Sequence, residues 1–223
     1  MHGSGELFAD FIVALPTSFE THVLSYPNDI VLSTPELLNL IRSSVPASEP
    51  FVILAESFST PLSIQFAATN LPNLKGLILC AGFATSPLRG ATRILGRYLS
   101  PFLPLVPAGV AGTIMVSGSH ASQSILGRLR SAINSVRPAV LVDRVRSVLD
   151  CDVLDDLRRI NVPVLYIQAS HDRIVHPVCL EEMRHMKPEM EVAVLNGAHV
   201  LLQLMPRQSA EVVVRFARRL RIE

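Results

Sequence analysis

The chain has 223 residues, a formal net charge of +1, 49% hydrophobic residues and 17% charged residues. Such a length fits one domain, and the apolar content supports a buried sheet and excludes a disordered chain. Near-neutral charge and 5% aromatic residues offer neither attraction for a polyanion nor platforms for stacked bases, which argues against a nucleic-acid partner.

Cys80, Cys151 and Cys179 are too few and too scattered for a disulfide framework or a zinc motif, and a reducing compartment suits them. No Lys or Arg precedes Arg42, so the apolar stretch Phe8 to Pro16 lacks the charged start of a secretory signal. The expectation is a cytoplasmic protein. The longest apolar run, Pro101 to Val116, is broken by Pro104, Pro107, Gly109 and Gly112 and is shorter than the ~20 residues a membrane span needs.

In chain order, apolar periodicity predicts a helix over Glu6 to Leu15, then a β-rich run at His22 to Tyr26. A helix over Pro35 to Ser44 follows, with Thr34 as its N-cap and proline at its first position. Phe51 to Ala55 (FVILA) reads as a strand buried on both faces, and Thr60 to Thr69 as the helix after it. Gly76 to Cys80 (GLILC) is a second strand of the same kind. From residue 83 to 150 the pattern changes to Pro, Gly, Ser and amphipathic helical pieces, which predicts a helical lid. Val162 to Gln168, a helix over Pro177 to Met186, Glu191 to Leu195 and a helix over Pro206 to Leu220 complete the alternation. Arg215, Arg218, Arg219 and Arg221 on that last helix read as a solvated face. Strands taking turns with helices imply an α/β fold: one domain over residues 1–223, with a mostly parallel sheet and flanking helices.

Three residues stand where chemistry is expected. Ser57 lies in Ala55-Glu56-Ser57-Phe58-Ser59, between the FVILA strand and the next helix. A strand, tight turn and helix can hold a serine at a strained corner with Oγ exposed, and small flanking residues let the elements approach. The pentapeptide is A-x-S-x-S rather than G-x-S-x-G, and by itself it fits an ordinary turn serine equally well. Asp172 follows the strand VPVLYIQ, at the sheet edge where ligands bind, and reads either as the partner of a histidine or as a turn aspartate. His199 follows EVAVL through Asn196-Gly197-Ala198, and reads either as a base or as a buried, hydrogen-bonded histidine. The order serine, acid, histidine, each after its own strand, favours the chemical reading of all three. His171, His176, His185 and His199 are candidate metal ligands, but His171 and His176 are five apart and no adjacent carboxylate pair completes a cage, so no metal is expected. Gly3 and Gly5 follow no strand, so no dinucleotide or other cofactor is expected.

The stretches HGSGELFADFIVALP, FVILAESFSTPLSIQFAA, VPVLYIQASHDRIVHP and NGAHVLLQLMP resemble α/β-hydrolases of the small bacterial carboxylesterase and acyl-ester hydrolase kind. The resemblance implies a cofactor-free serine esterase acting on a small-molecule ester with an apolar or short acyl chain. Ser57 would be the nucleophile, His199 the base and Asp172 its orienter. The oxyanion hole would use the backbone of Phe58 and, from the loop matching His2 to Phe8, that of Met1. A thioesterase or acyl-carrier methyl-ester hydrolase would use the same residues, and an inactive hydrolase-like scaffold is the reading from another class.

In the family a central strand precedes that loop and lies between the strands matching HVLSY and FVILA. This chain starts at Met1, so the resemblance implies an N-terminally shortened sheet with unpaired backbone in its middle. Three outcomes follow from it: the sheet closes up, a second chain covers the gap, or a strand is supplied ahead of Met1. Self-association through the exposed strand edges is therefore expected.

Overall fold

The computed structural model describes residues 5–117 and 122–220. A 3-10 turn (Gly5–Phe8) leads into α1 (Ala9–Ala14) and, after an irregular stretch, α2 (Thr34–Ser44). Then come β1 (Phe51–Glu56), α3 (Ser59–Ala67) and β2 (Leu74–Cys80). Between β2 and β3 lie α4 (Gly90–Leu99), a 3-10 helix (Ser100–Leu105), α5 (Ala108–Met115), α6 (Gln123–Asn134), α7 (Pro138–Leu149) and α8 (Leu154–Arg159). β3 (Val164–Ala169), α9 (Val178–Met186), β4 (Glu191–Leu195), α10 (Leu201–Leu204) and α11 (Pro206–Arg219) follow.

The four strands pair in parallel in the order β1-β2-β3-β4. Parallel neighbours need a crossover, and each is made by the helices between consecutive strands. Because side chains alternate across a sheet, β2 and β3 feed two cores. Leu77, Leu79, Val164 and Tyr166 point to one face, against Ile64 of α3, Leu157 of α8 and Met183 of α9. Ile78, Cys80, Leu165 and Ile167 point to the other, against Phe11 of α1 and Val213 and Phe216 of α11. Leu77, Ile78 and Leu79 are all 0% exposed, so consecutive residues are buried on opposite sides and the run shows no polar alternation. Each such side chain contributes roughly 1.5–3 kcal/mol by burial. Glycine at position 76 lets α11 approach, since a methyl there would come within 2.5 Å of Leu220 Cδ1.

Two expectations are corrected. The N-cap of α2 is Ser33, not Thr34: Ser33 N–H and Oγ both donate to the Glu36 carboxylate, at 2.8 and 2.6 Å. Glutamate three residues on makes a capping box, which selects the serine over the threonine beside it. The strand expected at His22 to Tyr26 does not form, and residues 20–27 carry no regular structure. A cavity of about 840 Å³ is lined on one side by Thr21 to Tyr26 and on the other by Phe51 to Leu54. With no strand beside it, that segment has no ladder to join, and β1 ends the sheet as an edge strand. Its apolar residues are only half-buried from Phe51 to Leu54, unlike those of β2.

Hydrogen exchange should register this difference. Amides of β1 that face the cavity should exchange at least about ten-fold faster than those of Leu77 to Cys80, because a one-sided ladder opens locally while a central one opens with the whole domain. Equal protection across β1 and β2 would mean that the cavity edge of β1 is paired in solution.

Candidate active site

The C-terminal ends of β1, β3 and β4 bring three side chains together. At the first of these, Ser57 turns the chain from β1 into α3 with φ of +54°, in the left-handed region. A non-glycine residue there costs on the order of 1–3 kcal/mol and persists only where its surroundings hold it. Several contacts do so. Ser57 N–H donates to Cys80 O (3.0 Å), and Thr60 N–H donates to Ser57 O (2.9 Å). The fully buried Thr60 hydroxyl lies 2.7 Å from Ser57 O and accepts from Phe83 N–H at 3.1 Å. Gly82 permits this contact, since a methyl there would lie 2.5 Å from Thr60 Cγ2. Tyr166 Oη donates to Gly82 O (2.8 Å), which fixes the loop from the β3 side. The corner is thus tied directly to β2 and, through the loop at Gly82, to β3.

His199, 1% exposed, reaches Ser57 Oγ with Nε2 at 2.7 Å. Its Nδ1 lies 2.8 Å from Asp172 Oδ2. An ionised carboxylate only accepts, so the partners place the proton on Nδ1 and leave Nε2 free to accept from the serine. The other oxygen, Asp172 Oδ1, accepts from Ile174 N–H (2.8 Å) and Val175 N–H (2.9 Å). Both readings of the aspartate therefore hold at once: one oxygen closes a turn, and in doing so aims the other at the imidazole.

Phe58, the residue after Ser57, sits at the N-terminal end of α3, where backbone N–H groups have no intrahelical acceptor. Its ring is buried and meets Tyr26 edge to face, with centroids 5.9 Å apart. Met1, the other residue expected at this position, lies outside the described residues. Two other histidines have different partners: His171 Nδ1 is 3.1 Å from Ser170 Oγ, and His176 Nδ1 accepts from Val178 N–H at 3.2 Å. Among the described residues no three His, Cys, Asp or Glu side chains converge as a metal cage would require. Burial pushes the Cys80 thiol well above its ordinary range, with Glu56 and Asp172 adding to the effect.

Sequence reasoning missed Glu56. Its Oε2 accepts from Gln203 Nε2 (2.9 Å) and its Oε1 from Leu202 N–H (3.2 Å). Burial pushes this carboxyl up, while the bonds from Gln203 and Leu202 and the nearby His199 pull it down. The side chain joins the end of the strand that precedes Ser57 to the helix that follows His199, across 147 residues of sequence. The signal in the sequence is a carboxylate closing an otherwise apolar strand. Its partner, a short helix after the histidine, becomes visible only in three dimensions.

No family model matches the chain, and no curated protein matches it in sequence. Solved structures do match its architecture. A hydrolase from Oleispira antarctica superposes with a TM-score of 0.82 at 13% identity, covering 97% of this chain and 87% of that one. A bromoperoxidase from Bacillus anthracis gives 0.82 at 14% identity, covering 96% and 88%. An enol-lactonase from Burkholderia xenovorans LB400 gives 0.75 at 15% identity, covering 97% and 87%. Together with the parallel sheet and its flanking helices, these likenesses define the class: the chain has the α/β-hydrolase fold.

Proposed function

We propose that the protein is a serine hydrolase of carboxylic esters. The observation that carries the reading is the unbroken hydrogen-bonded line from Ser57 Oγ through His199 to Asp172, with the serine held at a left-handed corner. The descriptions of similarly folded proteins as hydrolases, one as an esterase and one as an enol-lactonase, agree with it.

In this mechanism His199 Nε2 takes the Ser57 proton as Oγ attacks the acyl carbonyl, and Asp172 stabilises the imidazolium that results. The Phe58 N–H donates to the developing oxyanion, a kind of contact worth roughly 3–4 kcal/mol of barrier. The imidazolium returns its proton to the leaving alcohol, leaving an acyl-serine. Water, deprotonated by His199, then releases the acid and restores the serine. No redox group or second substrate besides water enters the cycle.

Glu56 acts as a positioning residue, holding the helix after His199 against the strand that carries Ser57. The helices at residues 83–150 act as a lid: Val116 and Leu129 pack on Val200, the residue next to His199.

The direct test is labelling with a fluorophosphonate. The expected product is a single stoichiometric adduct, mapped by peptide mass to Ser57 and absent when His199 is replaced by alanine. A folded protein that leaves Ser57 unlabelled would be a hydrolase-shaped binding protein instead. Turnover of matched ester and thioester substrates separates the ester reading from a thioesterase.

A further inference from the structure

Arg144, on the lid helix α7, is only 4% exposed. Arg42 and Arg219, which also lie over aromatic rings, stand at the surface. The Arg144 Cζ lies 5.8 Å from the centre of the Phe58 ring and 5.9 Å from that of Tyr26. Those two centres are themselves 5.9 Å apart, so the guanidinium and the rings form a three-cornered cluster. A cation over a ring is attracted by the ring's quadrupole, more strongly where water is excluded. Arg144 Nη2 also donates to Pro27 O at 2.7 Å. The side chain therefore joins the lid, the irregular segment carrying Tyr26, and the residue after Ser57.

Phe58 supplies its ring to this cluster and, with Ser57 as nucleophile, its N–H to the oxyanion. That N–H belongs to the same planar peptide unit as Ser57 C=O. Ser57 O is held by Thr60 N–H and the Thr60 hydroxyl, at 2.9 and 2.7 Å, which fixes the unit at its carbonyl end. At its other end the unit is seated by the Phe58 side chain, with the Tyr26 ring at its edge and Arg144 over it. The left-handed φ of Ser57 stores strain that a loosened seat would let go. An oxyanion donor contributes only while it is aimed where the charge develops.

We propose that Arg144 is a positioning residue for hydrolysis: from the lid it clamps the Phe58 ring and so holds the Phe58 N–H on the acyl oxygen. The proposal rests on the hydrolase reading above. It couples catalysis to the lid, because lifting α7 would withdraw the guanidinium and loosen the oxyanion donor while Ser57, His199 and Asp172 stayed bonded.

Kinetics on p-nitrophenyl butyrate test it, once fluorophosphonate has labelled the parent chain at Ser57. R144Q can still donate to Pro27 O but carries no charge over the rings. Its kcat should fall about ten-fold or more, with KM within about two-fold of the parent's. A trifluoromethyl ketone, which adds to Ser57 and places an oxyanion at the same amide, should bind R144Q more weakly by a similar factor. F58L keeps the amide and removes the ring, so its kcat should fall comparably. The R144Q/F58L double variant should be no slower than the slower single one, since one clamp is lost only once. R42Q removes the cation over Phe66, in the same buried cluster as Phe58, and should leave kcat and inhibition unchanged. A merely structural Arg144 would lower the melting temperature of R144Q and leave kcat and ketone affinity as in the parent. Parental kcat in folded R144Q or folded F58L overturns the proposal, as do losses that multiply in the double variant. Should R144Q fail to fold, F58L decides. A parent chain unlabelled at Ser57 overturns the hydrolase reading and this proposal with it, whereas a labelled parent with unaffected R144Q overturns this proposal alone.

Discussion

Ser57→Ala should lower turnover of p-nitrophenyl acetate or butyrate by roughly 10⁴-fold or more while the fold is retained, because no other group at the corner can form the acyl intermediate. Serine Oγ makes one contact that alanine loses, the 2.7 Å bond to His199, and the backbone bonds that fix the turn remain. The measurement is kcat/KM beside the melting temperature. The two should separate, since φ of +54° is no easier for serine than for alanine. Retention of more than about a tenth of the activity in a folded variant would remove Ser57 as the nucleophile.

His199→Ala should be nearly as damaging, and Asp172→Asn should cost about 10⁴-fold, because the three side chains act as a unit. The asparagine variant is the more informative. Its amide can preserve the turn bonds to Ile174 and Val175 through Oδ1, yet it would present an N–H₂ toward Nδ1 and so favour the wrong imidazole tautomer. The expected signature is a large fall in kcat with little change in stability. A silent Asp172→Asn would turn attention to Asp150, Asp152, Asp155 and Asp156. Of these, Asp150 is engaged by Arg97 and Asp156 by Arg159.

The buried strands were legible because their apolar runs have no polar alternation. FVILA, GLILC and VLYIQ are each bounded by turn residues, and each appears in the sheet within two residues of the range expected. HVLSY has comparable β-rich chemistry and formed no strand. Strand propensity is a statement about fitting a pleated surface, and here the surface beside it is a cavity. The Ser33–Glu36 cap was open to a purely local reading and was missed by one position, because Thr34 before Pro35 carries a similar signal.

By itself, then, the amino-acid order determined the alternation of strands and helices, and the placing of Ser57, Asp172 and His199 each just after a strand. These are local properties, set by side-chain periodicity and turn chemistry within a few residues. Tertiary structure alone decided how those pieces face one another. It turned Asp172 so that one oxygen closes a turn and the other meets His199, and it set Glu56 against a helix 147 residues away. It also rotated α4 so that its arginines grip the body and its apolar stripe meets solvent. A helical period shows that two stripes exist. Which stripe turns inward depends on the partners waiting there, and for α4 those are Glu182, Asp150 and the Leu149 carbonyl, all drawn from other parts of the chain.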